Sequence, residues 1–237
     1  METPLAFNDR TKMLLGEQAV IELMKKKILI FGLGGVGGHA VEALARTGIG
    51  TLGIVDYDRV EVTNINRQII ALNSTLGCYK THVMEKRIKD INPQANVLAY
   101  TLKLNSDNID QLPLGDWDYI VDAIDDVAAK IILIEKAKRL GVPIISSMGA
   151  GNRVDPTKLQ VSDIYKTHTC PLAKVIRKRL RELGIPELKV VFSDEKPERK
   201  EYPEDGSRPP ASIAFVPAAA GLIIAAEVIK DLIKIFK

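Results

Sequence analysis

Cysteine is nearly absent: the chain of 237 residues has two, Cys78 and Cys170, and neither belongs to a C-x-x-C pair. That scarcity excludes a disulfide scaffold and argues against a structural zinc held by paired thiolates. The first eight residues lack the basic-then-apolar order of a secretory leader, so a cytoplasmic protein is expected. A clean apolar run of the ~20 residues needed to span a bilayer is also missing. The most apolar stretch, 213–229, is interrupted by Pro217, Gly221 and Glu227 and reads as a core or dimer-interface helix. No internal repeat is visible, and no shift in composition splits the chain into separate folding units. The net charge of +3 is too small to point to a partner, so the placement of basic residues matters more than their total.

What is present is an ordinary globular composition, 46% hydrophobic and 27% charged, in a chain long enough for one sizeable core. Strand patterns at 27–32, 51–56, 96–102, 119–124 and 143–148 alternate with helical patterns at 12–24, 39–47, 76–91, 106–112 and 128–140. That alternation predicts an α/β fold, a doubly wound, Rossmann-like and mainly parallel sheet in a single domain. Beyond Gly149 the pattern changes to a strand at 153–164, a basic amphipathic helix at 172–183 and a strand at 189–193. This predicts an antiparallel C-terminal extension. Residues 1–150 are then the nucleotide-binding half, and 151–237 the half for substrate and dimer contacts. The polar, proline-rich segment 194–211 is expected to be a mobile crossover loop.

Gly32, Gly34, Gly35 and Gly37 follow the first strand and open a helix, and Asp56 ends the second strand. Glycines allow a sharp turn and close approach of a phosphate-bearing ligand, the helix N-terminus favours anions, and the acid accepts from ribose hydroxyls. The same spacing fits a dinucleotide fingerprint. On these residues alone a nicotinamide dehydrogenase stands level with other nucleotide-binding readings.

The residues beyond Asp56 separate them. Asn64, Arg67 and Gln68 lie in T-N-I-N-R-Q, Lys80 opens the next helix, and Asp125 ends the fourth strand in D-A-I-D-D. In a doubly wound sheet the carboxyl ends of neighbouring strands line one crevice, so Asp125 should face the glycine turn. A nicotinamide site has no use for Arg, Lys and another Asp around a phosphate chain. A site that breaks a triphosphate needs cations against the phosphates and a carboxylate for Mg²⁺. Singly, Arg67 reads as a surface ion pair, Lys80 as a solvated helix residue and Asp125 as a helix cap. Their joint placement is what argues otherwise.

This set resembles the adenylation site of the ubiquitin-activating-enzyme-like (ThiF/MoeB-like) family, over about residues 7–150. The resemblance implies an ATP site in which Gly32, Gly34, Gly35, Gly37, Asp56 and Asp58 hold the nucleoside side. It assigns Asn64, Arg67, Gln68 and Lys80 to the phosphates and Asp125 to Mg²⁺. Arg10, in F-N-D-R-T-K-M-L-L-G, resembles an arginine that such proteins extend across a homodimer interface to the partner's ATP. Arg10, Arg67, Lys80 and Asp125 are the implied catalytic set.

The second half narrows the resemblance. G-A-G-N-R-V-D-P-T-K-L-Q-V-S-D-I-Y-K-T, P-L-A-K-V-I-R-K-R-L-R and V-V-F-S-D-E-K-P are similar to the bacterial tRNA threonylcarbamoyladenosine dehydratases. The implied reaction is adenylation of the threonine carboxylate of the modified nucleoside beside the anticodon, then ring closure with loss of AMP. A tethered nucleophile requires no enzyme thiol, which suits a cysteine-poor chain. Lys174, Arg177, Lys178, Arg179 and Arg181 cluster on one predicted helix and are the candidate RNA contacts, against a solvated-face alternative. The resemblance also admits a monovalent cation, which no residue pattern places, and a cysteine-desulfurase or sulfur-acceptor system as a further partner. The competing readings are an activator of a ubiquitin-like sulfur-carrier protein, a nicotinamide oxidoreductase, and a non-catalytic nucleotide-binding subunit.

Overall fold

The computed structural model describes residues 7–198 and 210–233. Strands β1 (Lys27–Phe31), β2 (Thr51–Val55), β3 (Asn96–Tyr100), β4 (Tyr119–Asp122), β5 (Ile144–Ser147), β6 (Leu159–Asp163) and β7 (Lys189–Ser193) form one sheet. Its order is β3-β2-β1-β4-β5-β7-β6. All neighbours run parallel except β6, which pairs antiparallel with β7. The helices are α1 (Asp9–Leu15), α2 (Glu17–Lys25), α3 (Gly37–Thr47), α4 (Lys80–Ile91), α5 (Val127–Leu140), α6 (Pro171–Glu182) and α7 (Phe215–Ile233).

The central strands are apolar on both faces because helices cover both. Leu29, Phe31 and Ile120 point to the side packed by Leu133 of α5 and Ile176 and Leu180 of α6. Ile28, Ile30 and Val121 point to the other, against Leu44 of α3, Met84 of α4 and Ile224 of α7. Helix α7 is the interrupted apolar stretch, used as core. A Cβ on its Gly221 would crowd the Val36 carbonyl and Ala40 at the start of α3, so glycine permits that close packing.

Four local expectations are corrected. The predicted helix 12–24 is two helices, because Gly16 takes φ 86° and ψ 151° between them. The helix expected from 76 begins at Lys80, because 76–79 are drawn into turns in which Gly77 and Val60 pair and Arg59 bridges Tyr79. At 106–112 there is only a 3-10 turn, Ile109–Gln111. The strand at 153–164 is confined to Leu159–Asp163, since Asp155 caps a 3-10 turn before it. The predicted loop 194–211 lies mostly outside the described residues.

Candidate active site

The loops after β1, β2, β4 and β5 open into one cavity of about 500 Å³. At its floor Gly32 has φ 87°, and a Cβ there would crowd the Ala123 carbonyl after β4. A Cβ on Gly37 would overlap the Gly32 carbonyl oxygen, so α3 can start this close to β1 only with glycine. Gly32, Gly34 and Gly35 line the cavity, whereas Gly37 lies behind them as packing.

Asp56, buried just beyond β2, braces the turn. Its Oδ2 accepts the Leu33 N–H at 2.6 Å and its Oδ1 the Asp58 N–H at 2.8 Å. Burial raises its carboxyl above the ordinary range, against the pull of the Lys80 charge and these two donors. A carboxylate has about four acceptor positions, so free ones remain for a ligand. Lys80, the first residue of α4, is buried and donates from Nζ to Asp58 Oδ2 at 2.8 Å. It is therefore an enclosed cation at the cavity wall rather than a solvated helix residue.

Arg67 makes no ion pair among the described residues. Its Nη1 donates to the Thr63 carbonyl at 2.9 Å and to Asn66 Oδ1 at 3.0 Å, which leaves its charge available. Asn64 is buried and accepts the Glu61 N–H at 3.1 Å, fixing the turn that presents Arg67. Gln68 is buried with its Oε1 unpartnered among the described residues. Asp126, not Asp125, caps α5, accepting from the Ala129 N–H at 2.8 Å. Asp125 lines the cavity, exposed, and accepts no hydrogen bond among the described residues. The Tyr57 hydroxyl is pushed above its usual pKa by Asp58 foremost, then by burial, Asp125, Asp56 and Asp126, and all four carboxylates line the same cavity.

Arg67, Lys80, Asp125 and the glycine turn thus share one cavity, with Asp56, Asp58, Asn64 and Gln68. Arg10 does not line it; it is exposed on α1, beside Met13 and Leu14, which are 87% and 83% exposed. Among the described residues no group of three or more His, Cys, Asp or Glu gathers to hold a metal. An ion at Asp125 would draw its remaining ligands from phosphates and water, which is how Mg²⁺ is usually bound.

On α6 the basic residues divide. Arg177 donates to the Thr167 carbonyl at 2.7 Å and belongs to the fold, Arg179 pairs with Glu182 at 3.0 Å, and Arg181 lies over the Tyr165 ring. Lys174 and Lys178 are exposed and unpaired among the described residues. Cys170 is buried and Cys78 exposed.

Residues not anticipated also shape the cavity: Lys103 and Leu104 after β3, Gly149, Ala150 and Gly151 after β5, and Leu172, Pro210, Ser212 and Pro217. The small-residue run G-A-G directly after a predicted strand was the signal for the second group. Beneath the floor, Lys130 is fully buried and donates to Asp122 Oδ2 at 2.8 Å, Ser146 Oγ at 3.0 Å and the Ser147 carbonyl at 3.0 Å. Nothing in the sequence singled it out.

Residues 9–236 match the profile of the ThiF family. The tRNA threonylcarbamoyladenosine dehydratase of Bacillus subtilis is 42% identical over 238 residues, covering 95% of this chain and 94% of that protein. The Escherichia coli protein of that name is 43% identical over 171 residues, covering 72% of this chain and 64% of its own length. The solved structure of the Escherichia coli tRNA N6-threonylcarbamoyladenosine dehydratase in complex with ATP superposes with a TM-score of 0.89 at 36% identity, over 96% of this chain and 93% of that one. Its complex with AMP gives 0.88. Among the described residues no helix is long and apolar enough to cross a membrane.

Proposed function

The chain belongs to the ThiF family, and on that premise we propose that it uses ATP to dehydrate threonylcarbamoyladenosine in tRNA. The observation that carries the reading is the meeting of the glycine turn, two cations and an unengaged carboxylate in one cavity. The relatives' names and the ATP and AMP complexes support it.

In this reading ATP lies along the glycine turn with its ribose at Asp56. Arg67 offsets phosphate charge, and Lys80 exchanges its pairing with Asp58 for the phosphates. Asp125 would hold Mg²⁺ against the triphosphate, and the ion supplies charge neutralisation there. The substrate carboxylate oxygen bonds to the α-phosphorus as the bond to pyrophosphate breaks. The N6 nitrogen of the modified base then bonds to the activated carbonyl carbon and gives up its proton. AMP leaves with the former carboxylate oxygen, closing a five-membered ring. The second nucleophile is already tethered, so effective molarity substitutes for covalent catalysis.

Arg10 fits this scheme as a residue offered to a partner's nucleotide, and the exposed Met13 and Leu14 suit an α1 buried in a homodimer. Lys174 and Lys178 are the basic residues of α6 left free for RNA phosphates. No sulfur-relay step enters this reaction, because the closing nitrogen is already tethered to the substrate. The test is nucleoside mass analysis of threonylcarbamoyladenosine-bearing tRNA incubated with the protein, ATP and magnesium. Loss of one water from the modified nucleoside, with one AMP per turnover, is expected. An unchanged nucleoside refutes the reading.

A further inference from the structure

Resting on that reading, we infer that the Gly149–Gly151 loop is the seat of the substrate's carboxylate, an anion subsite separate from the triphosphate's. The loop follows β5, one strand beyond the Asp125 loop from the glycine turn, and it lines the cavity. On either side of it the backbone is paired: Met148 N–H donates to the Val191 carbonyl at 2.8 Å and Asn152 N–H to the Ala211 carbonyl at 2.7 Å. Between them, the N–H groups of Gly149, Ala150 and Gly151 donate to nothing among the described residues. Consecutive unpaired amides in a loop are a natural anion receptor.

The second observation is Arg153. It is 3% exposed, and its Nη1 donates to the Gly149 carbonyl and, at 3.3 Å, to the Gly151 carbonyl, while Nε donates to the Glu195 carbonyl at 3.2 Å. The guanidinium therefore holds the loop through its carbonyls. It forms no ion pair among the described residues, and its Nη2 has no partner. A guanidinium stays charged, and a buried charge without a counter-ion is costly. An anion on the loop's amides would supply the missing charge nearby. Gly151 keeps the loop close-fitted, because a Cβ there would crowd Pro210, whereas one at Gly149 would make only ordinary contacts with Cys170 and Leu172.

The triphosphate has Arg67, Lys80 and the glycine turn, so the anion left for this loop is the carboxylate that attacks the α-phosphate. After adenylation the same donors face the acyl oxygen, which gains negative charge as N6 adds to the carbonyl carbon. Arg153 does not touch that oxygen in this scheme; it is a positioning residue acting through the loop.

The test measures binding of the free threonylcarbamoyladenosine nucleoside and of its methyl ester, each with an ATP analogue whose α,β bridge cannot be cleaved. The unaltered protein is expected to prefer the acid by roughly tenfold or more, the scale of hydrogen bonds to a charged group. Arg153→Met should lose that preference while Arg153→Lys keeps part of it, with affinity for the ATP analogue the same in all three. Ala150→Pro, which deletes one donor and leaves Arg153 in place, should also lose it, so the inference does not depend on Arg153→Met folding. Retained preference in Ala150→Pro and Arg153→Met overturns the inference, as does a parallel fall in analogue affinity, which would give the loop to the phosphates. An acid preference in a protein that leaves tRNA unchanged sustains the seat and sinks the reaction. Turnover without acid preference does the reverse.

Discussion

Replacing Lys130 by Met should be among the most damaging single changes outside the cavity. Lys130 and Asp122 are both 0% exposed, and the ammonium makes three bonds beneath the site. Met has a similar length and no charge, so the variant strands Asp122. Among the described residues the carboxylate then keeps the Ser146 hydroxyl at 2.5 Å and the Ile124 N–H at 3.2 Å as its donors. Leaving one member of a buried ion pair unpaired costs about 3–5 kcal/mol. At roughly 2–4 °C per kcal/mol for a domain this size, the melting midpoint should fall by about 6–20 °C. The check is urea unfolding of Lys130→Met, Asp122→Asn and the double variant. Neutralising both partners should recover a large part of the loss, since an uncharged amide tolerates the apolar surroundings better than a lone carboxylate. A cost below ~1 kcal/mol for Lys130→Met, or additive losses in the double variant, would refute the argument. Asp122 begins the loop that carries Asp125, so ATP affinity should fall alongside stability.

Three further outcomes are expected. Gly37→Ala should abolish ATP binding and lower the melting midpoint, because its Cβ would overlap the Gly32 carbonyl; binding as in the unaltered protein would show that the turn adapts. Glu42 bridges α3 and α4: burial opposes its ionisation, but hydrogen bonds from Arg87 and Arg46 prevail and hold its carboxyl below the ordinary 4.5. Its folded form thus binds fewer protons than its unfolded form near that value. The resulting stabilisation is present above 4.5 and fades as pH falls through the lower folded value. Glu42→Gln should cost stability at neutral pH and flatten the acid limb in denaturant titrations, and an unaltered acid limb would contradict this. Asp125→Asn should leave the melting curve unchanged while lowering tRNA-dependent ATP–pyrophosphate exchange by about 10²–10³-fold, the scale of removing one electrostatic contact to the transition state. Full exchange with undiminished magnesium dependence would remove Asp125 from the site.

The order of strands and helices was legible because buried parallel strands and amphipathic helices leave different local periods. Gly32 and Asp56 directly follow β1 and β2, whereas Asp125, expected to end the fourth strand, lies in the loop beyond it because β4 stops at Asp122. Element ends were less legible. Gly16 breaks a helix through a dihedral that the apolar spacing of 12–24 does not encode. The role of Lys80 was legible only as a position after the second strand. Its burial, and its pairing with Asp58, come from where α4 packs. Arg177 shows the opposite limit: its sequence neighbours made it look like part of a charged face, while contact with Thr167 folded it inward.

By itself the sequence determined the alternating α/β architecture, the glycine turn and the residue types offered to a triphosphate, because each depends on neighbours within a few positions. Only the tertiary structure decided that Lys130 is a fully enclosed counter-ion and that, among the described residues, Arg153 has no acid partner and the three loop amides beside it have no acceptor. Burial is set by elements distant in sequence and pairing by loop paths that follow no helical or strand period, so a linear pattern records side-chain chemistry without recording which charges the fold encloses or pairs.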